Sequence, residues 1–256
     1  MDRLFIVLVL VISAACGSSA AQPTATPAPR TPSPTLFITT SPPTPSPTAS
    51  PSPDPRALRY VAIGASDTVG IGASDPVAGS WPSRLAARLP TGSEYVNLGV
   101  SGSLAAQAGR EQLPRALEVR PRVITIWLAV NDLNANVPAT DYAVSLRAIV
   151  MPLLSGTDAR VFIGNVPDLR SVPAYAGTDR AGLLARINAY NAAIAAVAAT
   201  TAAAGRMTVV DLFTGSAALT STITVSGDGF HPSDAGYALI ADRFAAALLG
   251  AGLPLR

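Results

Sequence analysis

From about Arg59 to Leu249, short apolar runs alternate with amphipathic or alanine-rich stretches. Tyr60–Ile63, Glu94–Leu98, Arg122–Leu128, Arg160–Ile163 and Met207–Val210 read as strands. Of these, Val-Ile-Thr-Ile-Trp-Leu is the clearest, being β-branched and uninterrupted. Between and after them the 3.6-residue spacing predicts helices over Ser80–Leu89, Leu104–Leu117, Asp141–Leu154, Asp179–Ala204 and Ser233–Leu249. Strand–helix alternation repeated five times implies an α/β protein, a three-layer sandwich with a five-stranded parallel sheet covered on both faces. In such folds ligands gather where loops leave the carboxyl ends of the strands. Polar atoms such as Arg186, Asn188 and Asn191 in the alanine-rich segment argue against a membrane span there.

The N-terminal quarter is different. Arg3 and the free amine precede an unbroken apolar run, Leu4 to Ile12, and then Ser13-Ala14-Ala15. This is the pattern of a secretory signal over residues 1–15, too short to span a bilayer. Cys16, the only cysteine, follows at once and resembles the lipid-modified cysteine of a bacterial lipoprotein; Ser13 stands where that pattern prefers an aliphatic residue. An ordinary secreted protein with an incidental cysteine is the other reading. Residues 16–56 are mainly Pro, Thr, Ser and Ala, with twelve of the 23 prolines between Gly17 and Pro55. Such a stretch is an extended spacer without a core, either a tether or a ligand for a proline-recognition module. The expected order is therefore signal, anchor and linker, then a folded domain over residues 57–256, located outside the cytoplasm and either secreted or tethered to the membrane through Cys16.

Composition narrows the chemistry. Every basic residue is arginine, and the net charge is only +2. No basic stripe with interleaved aromatics is present, so nucleic acid is not the expected partner. One cysteine allows no internal disulfide framework, and one histidine with one cysteine gives no His/Cys zinc set. The glycines near Ser66 lack the Gly-Lys-Ser/Thr ending of a phosphate loop. No cofactor or metal is expected.

Four places remain where side chains could do chemistry. The first strand runs into Gly64-Ala65-Ser66-Asp67, which presents a serine hydroxyl on a turn after a buried strand, or simply caps the next segment. The second ends in Gly99-Val100-Ser101-Gly102, where glycine admits close backbone approach. The third ends in Ala129-Val130-Asn131-Asp132, placing an amide at the same rim or a cap on the next loop. Near the C-terminus stands Asp228-Gly229-Phe230-His231-Pro232, holding the sole histidine. An Asp-x-x-His turn lets a carboxylate fix one ring nitrogen and leaves the other free as a base. Asp168 and Asp211, also near strand ends, are the competing partners for His231.

Taken together, these blocks resemble the SGNH hydrolases, or GDSL esterase/lipase family, across nearly the whole domain. The resemblance implies a flavodoxin-like sandwich and a monomeric serine esterase. In it Ser66 is the nucleophile, His231 the general base and acid, and Asp228 its orienting partner. Ser66 and Gly102, through their N–H groups, and Asn131, through its amide, form the oxyanion hole. Two departures mark a divergent branch: Gly-Asp-Ser-Leu reads Gly-Ala-Ser-Asp here, and the glycine usual two places before the asparagine is Ala129. The expected substrate is a carboxylic ester of a small molecule, lipid, lysophospholipid or acetylated glycan. Val69–Gly79 and Pro167–Thr178 are expected to shape the pocket, with Asn165 and Trp81 at its rim. Acyl transfer by the same triad, or non-catalytic binding of glycan or lipid, are the alternatives.

Overall fold

The computed structural model describes residues 54–201, 205–219 and 224–256. The expected signal, Cys16 and the spacer as far as Pro53 lie outside these residues. Five parallel strands, β1 (Arg59–Gly64), β2 (Glu94–Asn97), β3 (Val123–Trp127), β4 (Arg160–Gly164) and β5 (Met207–Val210), form one sheet in the order β2-β1-β3-β4-β5. That is the strand order of a doubly wound, flavodoxin-like sheet.

Alternation along the central strands supplies both faces. Val61, Ile63, Ile124, Ile126, Val161 and Ile163 pack on one side with α4 (Ala105–Glu111), α5 (Leu113–Val119), α7 (Ala139–Gly156) and α8 (Arg180–Thr201). Tyr60, Ala62, Val123, Trp127 and Phe162 pack on the other with α3 (Trp81–Ala86), which follows the short α2 (Pro76–Gly79), and with α10 (Asp234–Gly250), which follows the short α9 (Ser216–Leu219). Because both faces are covered, β1, β3 and β4 are buried along nearly their whole length, whereas the edge strand β2 leaves Glu94 and Asn97 exposed. Trp81, expected at the pocket rim, is instead fully buried, stacked on Phe244 at 4.3 Å and edge-on to Trp127 at 6.2 Å. A large ring at the first turn of α3 has more area to bury between α3 and α10 than at an open rim.

Two helical expectations change in detail. Leu104–Leu117 is two helices broken at Gln112, since Pro114 has no N–H to give to the preceding turn. In α8, which by length and composition alone could cross a membrane, Leu183, Ile187, Tyr190, Ile194 and Val197 recur at helical spacing and are buried in the core. Asp179 starts this helix by accepting hydrogen bonds from the Ala181 and Gly182 N–H groups.

The break at Gln112 has a purpose in the packing. Gln112 is buried, and its Oε1 accepts from the Gly64 N–H at 3.0 Å while its Nε2 donates to the Gly64 carbonyl at 3.0 Å. Nε2 also reaches Ser103 Oγ at 3.2 Å. One side chain thus satisfies the last peptide groups of β1 and ties them to the loop after β2. A Cβ on Gly64 would lie 2.0 Å from Thr68 Oγ1 and 2.8 Å from the Trp127 carbonyl oxygen, so only glycine fits.

At the end of β3, α6 (Val130–Asn134) is entered through Ala129, which has φ 91° and ψ −38°. This is a conformation that favours glycine, the residue usual at that position in the family the sequence resembles.

Two stability measurements test these features. Gln112→Ala should lower unfolding stability by about 2–3 kcal/mol in urea titration, because it orphans the buried Gly64 N–H. Ala129→Gly should raise stability by about 1 kcal/mol, since relief of backbone strain exceeds the added chain entropy.

Candidate active site

The carboxyl ends of β1, β2 and β3 bring three of the four expected blocks to one rim. Ser66 begins α1 (Ser66–Val69) directly after β1 and is 7% exposed. Its backbone N–H has no acceptor among the described residues, as befits the first turn of a helix. The loop after β2 is held by Leu98 N–H to Ala62 O at 2.9 Å and Val100 N–H to Gly64 O at 3.1 Å. Gly102 follows with φ 79°; nothing stands within 4 Å of where its Cβ would be. Its N–H, too, has no acceptor among the described residues. Asn131 Nδ2 donates to the Ser103 carbonyl at 3.1 Å, which leaves its second N–H to offer. Asp132, buried beside it, accepts from the Ala105 N–H at 3.0 Å and so fastens the second block to the third. Burial raises the Asp132 carboxyl above the usual range, and that hydrogen bond opposes the rise.

The fourth block is a tight turn ahead of α10. Ser226 N–H donates to the His231 carbonyl at 2.8 Å, Ser233 N–H to the Thr224 carbonyl at 2.8 Å, and Gly229 turns with φ 73°. Inside this turn Asp228 Oδ1 accepts from Ser226 Oγ at 2.7 Å and from the Phe230 and His231 N–H groups at 2.8 and 2.9 Å. Its Oδ2 lies 2.6 Å from His231 Nδ1. Burial alone would raise Asp228, but these hydrogen bonds outweigh it, the His231 ring first, and hold the carboxyl well below the usual range. The charged carboxylate thus fixes Nδ1 as the protonated nitrogen and leaves Nε2 to accept. Phe230 meets the imidazole edge-on, with ring centres 4.8 Å apart.

The competing acids are engaged elsewhere. Asp211 accepts from the Phe213 and Thr214 N–H groups and from Asn165 Nδ2 at 3.2 Å, closing a turn at the end of β5. Asp168 is paired with Arg170 at 2.6 Å. Neither bonds His231. Ser66 Oγ also has no hydrogen bond to His231, although its neighbour Asp67 is close enough to His231 and Asp228 to feel both charges.

Two recesses meet here. The smaller is bounded by Ala65, Asp67, Ser103, Leu128 and Asn131. The larger, about 120 Å³, is mostly carbon-lined, with Val130, Leu169, Phe230, Pro232, Leu239 and Ile240 among its walls. Pro167–Val172 contributes to it as expected, whereas Val69–Gly79 does not. That segment is occupied in packing: Tyr237 Oη holds the Ile71 carbonyl, and Arg84 with Ser74 N–H engages Asp234. Its place is taken by one face of α10. Asp67 is the residue that sequence reasoning passed over; its displacement from before the serine to after it was the available signal.

The profile of the GDSL-like lipase/acylhydrolase family matches residues 62–239. No curated protein matches the chain. Among solved structures, TesA has a TM-score of 0.59 at 22% identity, covering 75% of this chain and 99% of its own. A lipase/acylhydrolase from Enterococcus faecalis gives 0.58 at 20% identity, over 77% and 97%. The acetyl xylan esterase AlAXEase gives 0.58 at 15% identity, over 74% and 99%. These likenesses agree with the observed strand order and sandwich, and the chain belongs to the GDSL-like lipase/acylhydrolase family as a carboxylic ester hydrolase.

Proposed function

We propose that the protein is a serine esterase that uses Ser66, His231 and Asp228 as its triad and prefers acyl groups larger than acetyl. The observation that carries this is the ring–carboxylate bond of His231, with Nε2 left unbonded, between Phe230 and Pro232, which line the larger recess together with Asp67. In the mechanism Ser66 Oγ attacks the ester carbonyl carbon and its proton passes to His231 Nε2. Asp228, ionised throughout, stabilises the imidazolium. The tetrahedral oxyanion is received by the N–H groups of Ser66 and Gly102 and the Asn131 amide. The imidazolium then protonates the departing alcohol, and water enters by the same steps in reverse to release the acid. Alignment of Ser66 Oγ with His231 belongs to the substrate complex, since such bonds are commonly long in the free enzyme.

Preference for a longer acyl group rests on the larger recess. At about 120 Å³ it approaches the roughly 150 Å³ of an engineered cavity that binds benzene, and its wall is nearly all carbon. An acetyl group would leave most of this apolar surface in contact with water, whereas each further buried methylene contributes about 0.8 kcal/mol.

Two experiments test the reading. Ser66→Ala and His231→Ala should each reduce kcat by about 10⁴-fold or more, Asp228→Asn by about 10⁴-fold, and Asn131→Ala by about 10²–10³-fold. A normal rate in either of the first two would remove the triad assignment. On p-nitrophenyl esters, kcat/KM should rise from acetate to a maximum between butyrate and octanoate and fall towards palmitate. A maximum at acetate would show that the recess does not take the acyl chain.

A further inference from the structure

Asp67 is half-buried and follows the proposed nucleophile directly, where the resembling block has leucine. With Trp127 and Val130 it forms the wall common to both recesses, one residue along the chain from Ser66. Its carboxyl accepts from its own backbone N–H, and among the described residues no arginine pairs with it. The groups that face it are His231, Asp228 and the phenols of Tyr175 and Tyr237, both of which its charge helps to push up after burial. Burial raises Asp67 to about 6, the His231 ring and its own N–H oppose the rise, and Asp228 adds to it. Asp67 is therefore an anion at pH 8. Arg243 also lines the larger recess but lies two turns along α10 from Gly236, about 10 Å away, with Nη2 on the Thr214 carbonyl.

Among the walls beside this anion two are aromatic and most of the rest aliphatic. Trp127 and Phe230 both border the larger recess. A carboxylate set among aromatic and aliphatic side chains is the chemistry that recognises a weakly hydrated cation. Leucine at this position would offer no such selection.

We propose that Asp67 is a specificity-determining residue that selects acyl groups carrying a positive charge, of which an alkylammonium is the type, a few bonds from the scissile carbonyl. This deepens the esterase reading and rests on Ser66 as nucleophile. The test compares kcat/KM for the ethyl ester of γ-trimethylammoniobutyrate with that for its neutral isostere, in which carbon replaces nitrogen, on wild type and Asp67→Asn. The wild-type ratio at pH 8 should exceed that of the variant by about tenfold, the size expected for one partly screened charge. In wild type alone the ratio should decline as pH falls through about 6, where Asp67 becomes neutral; any loss of rate common to both esters cancels in the ratio. This second arm needs no variant and stands even if Asp67→Asn folds poorly. Turnover of the neutral ester with a ratio that is unchanged by Asp67→Asn, or constant between pH 8 and 5, overturns the role of Asp67 alone. No turnover of either ester by wild type, with Ser66→Ala equally silent, overturns the esterase reading as well.

Discussion

β1 lies inside a parallel sheet, between β2 and β3, and its backbone cannot stop there without finding partners for its last peptide groups. A buried N–H or C=O left alone costs about 1–3 kcal/mol, so some group must meet Gly64 at the end of the strand. Gln112 does so with both ends of one amide, at 3.0 Å each. Everything at the rim is built outward from this closure. Because Gly64 is fixed, Ser66 opens α1 at a set height above the sheet. Because the same amide reaches Ser103, the loop carrying Gly102 is set against it. Asp132 then joins that loop to Asn131 through the Ala105 N–H. Three strand ends are thus locked to each other by side chains that do no chemistry themselves.

The two carboxyls nearest His231 show how environment divides similar groups. Asp228 sits in a turn whose N–H groups and serine hydroxyl converge on it, and its charge is held. Asp67 sits among carbon and aromatic walls with only its own N–H, and its charge is opposed. Placed within reach of one imidazole, one carboxyl serves as a permanent anion and the other changes state near neutrality. Sites of this kind assign roles by pushing apart the pKa values of neighbouring acids.

Most of the architecture was legible in the pattern of the chain. All five strands fall within one or two residues of expectation, the central ones because buried parallel strands read as unbroken apolar runs. The Asp-x-x-His turn was legible because the bond between Asp228 and His231 is local in sequence. Three features were not legible, each for a reason of distance. The Gln112 clamp joins residues 48 apart in the chain, so a glutamine beside Pro114 looked like ordinary helix. Trp81 was assigned to the rim because sequence does not say which side of α3 meets α10. The pocket wall moved from Val69–Gly79 to α10 because the arginine that pins the former comes from α3 and the tyrosine and aspartate from α10, more than 150 residues further along the chain. The signal, Cys16 and most of the linker lie outside the described residues, and their reading rests on the sequence.

Helix α10 joins two tasks on one rigid rod. The turn at its start holds His231, and Gly236, Leu239, Ile240 and Arg243 along one side wall the larger recess. Each residue of an α-helix advances the azimuth by about 100°, with 3.6 residues to the turn. Losing a single position between His231 and Gly236 would swing the recess wall towards solvent while the imidazole stayed in place. The α10 edge of the recess can therefore be retuned by exchanging one side chain for another, but not by changing the length of the chain that leads into it.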